Sequence, residues 1–419
     1  METYAAILLW AIPAFLLLVL LEIVYGHFSG KQTYSFMDTL ASLSSGMTNI
    51  LKDIMGLTVV LISYPYLLQR IQLQSLEAGP WTYCIAFICI DFASYWGHRL
   101  NHHINLFWNQ HIIHHSSEEF NLACALRQSF SNLISLSALF LIPAALLGVP
   151  AEVITLLAPL HLFGQFWYHT QHIGKLGWLE YILVTPSQHR VHHAINPEYI
   201  DKNLAAIFCI WDRLFGTFQE ELEEVPPVYG TLKPVRSWNP FWINFQHLWA
   251  LVQDAWRTTS WSSKFKIWFM PTGWRPEDVA LAYPREYLSN PFEQKKYKPY
   301  YPPFFKVYAS FQFVGITFML LYFLSHFGSF STSFQLTYVG LLFLCLFAFT
   351  AVMDCFHWAS LLDGTRALLG LGLLALPTHS FLWESHLLLA IWLALYFGVT
   401  FLMSWRTAQL LPTRKMALS

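Results

Sequence analysis

The stretch HRLNHHINLFWNQHIIHH, residues 98–115, places six histidines among eighteen residues at the end of an apolar run. A second cluster, QHRVHH at 188–193, repeats the pattern. The spacings decide how they are read. His98 and His102 stand four apart, His111 precedes His114 and His115 by three and four, and His189 precedes His192 and His193 by the same steps. On a helix such steps put side chains on one face, with Cβ atoms about 5–6 Å apart. Two imidazoles at that separation converge on one ion or on two neighbouring ions. Sites rich in imidazole and poor in carboxylate suit zinc, copper, iron or nickel. One pair carries little weight, whereas HxxxH followed by two HxxHH groups on one chain predicts a metal centre. The alternative is a set of surface or interfacial histidines, because imidazole with a pKa of about 6.5 is mostly neutral at pH 7. Eight histidines in this register have no packing rationale, and unpaired polar rings in a dry site are costly.

The rest of the chain sets the context. It is 55% hydrophobic and only 12% charged, against about 25% charged in soluble domains. Mean hydropathy is +0.41 and aromatics reach 17%, which together indicate an integral membrane protein. With Lys+Arg 24 against Asp+Glu 25 the net charge is −1, so no global field favours nucleic acid. Six cysteines without a CxxC pair give neither a disulfide framework nor a zinc ribbon. A spanning helix needs about 20 mostly apolar residues. Such runs are expected at 5–25, 47–69, 80–97, 131–148, 150–170, 305–326, 334–357, 364–377 and 386–405, with GVP at 148–150 as a hairpin turn. The polar segment 173–304 holds Arg190, Lys202, Arg213, Lys264, Lys266, Arg275, Lys295 and Lys296, and the tail holds Arg406, Arg414 and Lys415. The positive-inside rule makes both cytoplasmic. Counting crossings back from the tail puts the N-terminus outside and residues 98–130 inside. The fold is therefore predicted to be all-α, a polytopic membrane helix bundle with a histidine-rich di-metal site on its cytoplasmic side.

Several other positions draw notice. Trp242, Trp249 and Trp256 recur at steps of seven, which suits either a helix at the headgroup level or a helix packed under the cytoplasmic part. His27, His247, His326, His379 and His386 stand singly and are expected to be solvated, while His161 and His357 lie in apolar runs. Asp91 sits in an expected span seven residues before His98 and is a candidate either to hydrogen-bond a ligand histidine or to make a polar contact between helices. Asp354, three residues before His357, is a candidate to form a satisfied intramembrane pair with it or to belong with it to a substrate path.

The same residues resemble the fatty acid hydroxylase/sterol desaturase superfamily of membrane di-iron enzymes. HHSSEEFNLACALRQS (114–129), the run from FWYHTQH at 166 to LFGTF at 218, and MPTGWRP (270–276) are most similar to its members that cleave alkylglycerol ethers. The resemblance implies metal ligands at His98, His102, His111, His114, His115, His169, His189, His192 and His193. It implies a surrounding shell, or substrate and cofactor contacts, among Asp91, His103, Glu118, Asn121, Arg127, Gln128, Gln171, His172 and Asn203. Capping and salt-bridge roles are the alternative for Glu118, Asn121, Arg127 and Gln128, and a structural role for Asn203 and Asp212. Two departures stand out: those members carry a glutamate where His103 stands, and commonly an acid where Gln171 stands.

On this reading the chain divides into N-terminal transmembrane helices (1–79), a catalytic domain (80–220), a cytoplasmic interfacial segment (221–304) and C-terminal transmembrane helices (305–419). The implied cofactors are two iron ions, with O2 as co-substrate and tetrahydrobiopterin or another external reductant. The partners are a membrane lipid and a separate electron donor, since no HPGG-type haem segment is fused. The implied location is the endoplasmic reticulum in a eukaryote or the inner membrane in a bacterium. Imidazole accepts iron and zinc alike. A sterol, fatty acyl or carotenoid hydroxylase or desaturase is the first alternative, and a histidine-rich metal carrier is one of another class. A carrier needs ligands near the bilayer midplane, whereas these clusters flank the spans on one side.

Overall fold

Hydrocarbon offers backbone groups no partner beyond their own helix or a closed barrel, and this chain answers almost wholly with helices. The computed structural model describes residues 2–411, so Arg414 and Lys415 of the charge argument lie outside them. Helix α1 (Glu2–Phe28) is apolar all round and buries only Ala5, Val19, Glu22 and Gly26. It is long and apolar enough to cross a membrane. Helix α2 (Phe36–Ile54) is amphipathic and largely buried, and ends before Gly56 at φ +59°. Strand β1 (Val59–Val60) and α3 (Tyr64–Ile71) follow, the latter opened by Pro65. The span expected over 47–69 therefore does not form. A left-handed glycine and a proline break a run that hydropathy alone leaves continuous.

Helix α4 (Pro80–His103) starts on a proline and runs unbroken through His98 and His102, but it is not among the helices apolar enough to cross a membrane, so the span expected over 80–97 does not form either. After one extended residue, Ile104, comes α5 (Asn105–His115). The spans expected over 131–148 and 150–170 are also absent. In their place are strand β2 (Ile134–Ser135), paired in parallel with β1, and two short helices, α6 (Ile142–Leu146) and α7 (Ala151–Phe163). Gly148 makes the turn between the helices at φ +76°, where an added Cβ would lie 1.9 Å from the Gln74 carbonyl oxygen. These pieces bury Ala144, Ala145, Val153 and Ile154 against Ala86, Cys89 and Ile90 of α4.

The polar middle supplies α8 (Pro186–His193), α9 (Ile210–Phe215), α10 (Pro240–Arg257), α11 (Trp261–Lys266) and α12 (Glu277–Ala282). Helix α10 turns Ile243, Ala250 and Leu251 inward and Trp242, Trp249 and Trp256 outward. The tryptophans at steps of seven are thus outside the core. Helices α13 (Phe304–Ser325) and α14 (Thr332–Met353) are long and apolar enough to span. Helix α15 (Ala359–Ala375) bends by 78° at Pro377 into the segment holding α16 (Phe381–Ser385). The last helix, α17 (Leu387–Leu410), also qualifies, giving four spans, or five if the bent pair counts as one.

The C-terminal helices bury a charge cluster among their aromatics. Arg366 donates to Asp363 (2.8 Å), Gln312 (2.6 Å) and the Tyr396 hydroxyl (3.1 Å), and Tyr308 donates to Asp363 (2.8 Å). Asp354, at the end of α14, accepts from the Ser237 hydroxyl, the Trp238 amide (2.7 Å) and the Tyr297 hydroxyl (3.0 Å). It thereby ties these helices to the polar middle, and His357 is exposed. Because Arg366 and Asp363 are both fully buried, Arg366→Ala is expected to strand a carboxylate and cost about 3–5 kcal/mol. A lowered melting temperature in detergent is the readout, and an unchanged one refutes the cluster's structural weight.

Candidate metal centre

The two histidine helices are set by a short segment from far along the chain. Asn105, at the break between α4 and α5, accepts from Gly273 (2.9 Å) and donates to the Ile267 and Trp274 carbonyls (3.0 and 3.1 Å). Its backbone amide donates to Met270 (3.0 Å), and Thr272 donates to His103 (3.1 Å). MPTGWRP is thus the brace of the turn that folds α5 back on α4. His247, expected to be solvated, donates instead to the Asn105 carbonyl (2.9 Å) and belongs to the same brace.

Nine imidazoles meet inside this frame in two groups. His98, His102, His111, His115 and His192 form one, and His114, His169, His189 and His193 the other, with the candidate donor atoms of each group within 4.8 Å of one another. The Nε2 atoms of His98 and His111 are 2.8 Å apart, and those of His189 and His193 are 3.0 Å apart. Nitrogens bound to one ion at about 2.1 Å are spaced in this way. The rings of 98–115 and 189–193 face one another: His98 and His192 have centroids 4.5 Å apart, as do His115 and His193.

The outer nitrogens fix which atom faces inward. Nδ1 of His98 donates to the Leu204 carbonyl (2.8 Å), that of His192 to Lys202 (3.0 Å) and that of His169 to Gln165 (3.0 Å). A carbonyl only accepts, so each of these rings carries its proton outward and presents a bare Nε2 lone pair to the group. His102 Nδ1 lies 3.1 Å from Asp201 Oδ1. The inner Nε2 atoms of His102 and His192 are buried without a partner. Burial, and then the neighbouring imidazoles, push His114 down to about 3. The same causes hold His115, His189, His192 and His193 well below the usual histidine range. Neutral rings with converging lone pairs repel unless a cation sits among them. The donor set therefore fits nitrogen-bound metal ions.

The remaining expected residues divide. Asp91 reaches neither group. It pairs with His161 (2.7 Å) and accepts from Ile207 (2.9 Å), Phe208 (3.0 Å) and Trp211 (2.9 Å), so of its two expected roles the polar contact between helices is the one that forms. Arg127 is spent on Asp38 (2.6 Å), Ser116 (2.7 Å) and Ser42 (2.9 Å). Asn121 donates to Thr33 (2.8 Å), Glu118 accepts from the Tyr297 amide, and Gln128 donates to Ala125 (2.9 Å). Gln171 donates to Phe120 (2.8 Å), and His172 lies edge-on to Tyr25 at 5.0 Å. Asn203, at φ +51°, donates to Gln188 (3.0 Å) and Gln219 (2.7 Å). Asp212 accepts from the Leu204 and Ala205 amides (2.7 and 3.0 Å). His103 is partly exposed, 3.7 Å from Asp201.

Sequence reasoning missed Asp201 and Glu22. Asp201 adopts φ +56°, uncommon for a residue with a side chain, and no spacing pattern marks it. Glu22 lies buried in an apolar helix and accepts from Tyr34, Thr170 and the Leu122 amide (2.8 Å). A charged residue in an otherwise apolar span was the available signal. Beside the two groups opens a cavity of about 1180 Å³, lined by His98, His111, His114, His169 and His189 and by apolar residues of α1.

Comparison with known proteins adds independent information. A sequence model described as fatty acid hydroxylase matches residues 83–217. Alkylglycerol monooxygenase of Xenopus tropicalis is 35% identical over 356 residues, 85% of this chain and 79% of that one. The Homo sapiens protein of the same name is 40% identical over 278 residues, 66% and 62% of the two chains. That of Danio rerio is 38% identical over 305 residues, 72% and 68%. No solved structure matches.

The Asp201 contact makes its own prediction. Asp201→Asn removes the carboxylate that orients His102, and losses of this kind cost about 10–100-fold in metal affinity. Metal retained after dialysis against graded chelator reads this directly, and an unchanged retention curve refutes it.

Proposed function

The chain belongs to the fatty acid hydroxylase family, and from that premise we propose that it is a membrane monooxygenase that opens the ether bond of alkylglycerols. It is an oxygen-dependent oxidoreductase and a multi-pass membrane protein. The observation that carries the substrate reading is the meeting of two histidine groups at the wall of a large, mostly apolar cavity. His98, His102, His111, His115 and His192 would hold one iron, and His114, His169, His189 and His193 the other. Irons held there would supply the reduction of dioxygen, with electrons from tetrahydrobiopterin or another external donor.

The residues of the chain do the rest. Backbone carbonyls of 202 and 204 and the Asp201 carboxylate keep the rings oriented, so no reorganisation is needed at the moment of reaction. The apolar cavity wall keeps water from the reacting end and aligns the alkyl chain. Hydroxylation of the carbon next to the ether oxygen consumes one O2, two electrons and two protons, and one oxygen atom leaves as water. The resulting hemiacetal separates into a fatty aldehyde and glycerol. With the bent helix pair counted as one crossing, residues 29–303 share one side of the membrane. The basic residues of 173–304 make that side cytoplasmic, at the endoplasmic reticulum in a eukaryote or the inner membrane in a bacterium.

Purified protein given an alkylglycerol, oxygen and tetrahydrobiopterin is expected to release a fatty aldehyde. Hydroxyacyl or sterol products from a lipid extract, with no aldehyde, reject the reading. His114→Ala and His192→Ala are each expected to abolish metal loading and turnover together, as followed by elemental analysis and aldehyde release. Retained turnover in either variant contradicts its ligand assignment.

A further inference from the structure

We propose that Asn101 and Gln110 bind the hydroxyls of an uncharged glycerol headgroup beside the metal centre, with the alkyl tail laid along α1. The proposal rests on the ether-cleavage reading, which fixes one constraint. The carbon to be oxidised is bonded to the ether oxygen, so the headgroup lies only a few bonds from it and must be held close to the histidines.

The cavity wall has that arrangement. On α4 it is formed by Ser94, Gly97, His98 and Asn101, and on α5 by Phe107, Gln110, His111 and His114. Steps of three and four place each set on one helix face. Asn101 therefore stands one turn beyond His98, and Gln110 one turn before His114. Both side chains are half-buried, and neither amide makes a hydrogen bond to another described residue. An amide offers two donors and an acceptor, and here they are left available to a molecule in the cavity.

Several other polar groups on the wall are committed, the Asn132 amide being an exception. Ser94 donates to Ile90 (2.9 Å), Asn49 to Asp53 (3.1 Å) and Gln128 to Ala125 (2.9 Å). The two cations on the wall are neutralised, Lys52 by Asp53 at 3.2 Å and Arg127 by Asp38 at 2.6 Å. A phosphate-bearing headgroup would find no free cation among the described residues there. Leu8, Ile12, Phe15 and Leu16 of α1 give the cavity an apolar stretch of wall. The volume of about 1180 Å³ exceeds the range of about 300–1,000 Å³ usual for small-molecule sites, as a long chain requires.

The test uses the full-length, metal-loaded protein without reductant, so that binding is read apart from turnover. Wild type is expected to bind 1-O-hexadecylglycerol at least about tenfold more tightly than hexadecyl methyl ether, which has no hydroxyls, or than 1-O-hexadecylglycerol 3-phosphate. Asn101→Ala and Gln110→Ala should each weaken hexadecylglycerol binding about three- to tenfold, the loss of roughly one hydrogen bond. Binding of the methyl ether and the metal content should stay as in wild type. Equal weakening for both ligands, no weakening, or tighter binding of the phosphate overturns the proposal. If the binding pattern holds but wild type releases no aldehyde when reductant and oxygen are added, the ether-cleavage reading fails and the amide assignment stands.

Discussion

Nine imidazole lone pairs brought together in a dry interior are the constraint on which this protein is built. Each ring is polar, and each inner nitrogen lacks an ordinary hydrogen-bond partner in most directions. The chain accepts this cost by fixing the outer nitrogens. Leu204, Lys202 and Gln165 offer carbonyls to His98, His192 and His169, and Asp201 offers a carboxylate to His102. Protonation of the rings would place like charges a few ångströms apart, so burial and mutual repulsion keep them neutral. The same repulsion that makes the cluster poor as a core makes it a good host for cations.

Three of the four outer contacts come from one short segment, Asp201 to Leu204, which explains the left-handed backbone at Asp201 and Asn203. A regular helix would aim all its carbonyls along its axis and a strand would alternate them between two opposite edges, whereas these must reach rings from two separate helices. The strain is held by Asn203, bonded to Gln188 and Gln219, and by Asp212, which caps the amides of Leu204 and Ala205. Buried carboxylates do similar work elsewhere. Asp91 gathers the 207–211 turn against α4, Asp38 fixes Arg127 behind the end of α5, and Asp354 joins the last helices to the 237–301 region.

The cavity draws its walls from both kinds of element. Its reactive side is cut from α4 and α5, rigid because MPTGWRP and His247 brace their junction. Its apolar side is α1, which buries few residues and is held near the metal groups by Glu22. A lipid substrate needs this combination, a firmly positioned polar end and a wall whose outer surface faces hydrocarbon. The C-terminal helices contribute Leu320 to the same wall.

The sequence by itself determined what depends on nearest neighbours along the chain. Helix periodicity is local, so HxxxH and HxxHH already placed imidazoles on shared faces. Apolar length already marked α1, α13, α14 and α17 as spans. His169 was reached only through resemblance, because no spacing ties it to the other clusters. Hydropathy misjudged 47–69, 131–148 and 150–170, since it averages over the glycines and prolines that break them. Tertiary structure alone decided that the 98–115 and 189–193 rings meet, that Asp91 serves His161, and that Asp201 orients His102. Such pairings join residues up to a hundred positions apart. Their closeness is set by the packing of whole helices, which no local pattern of side chains encodes.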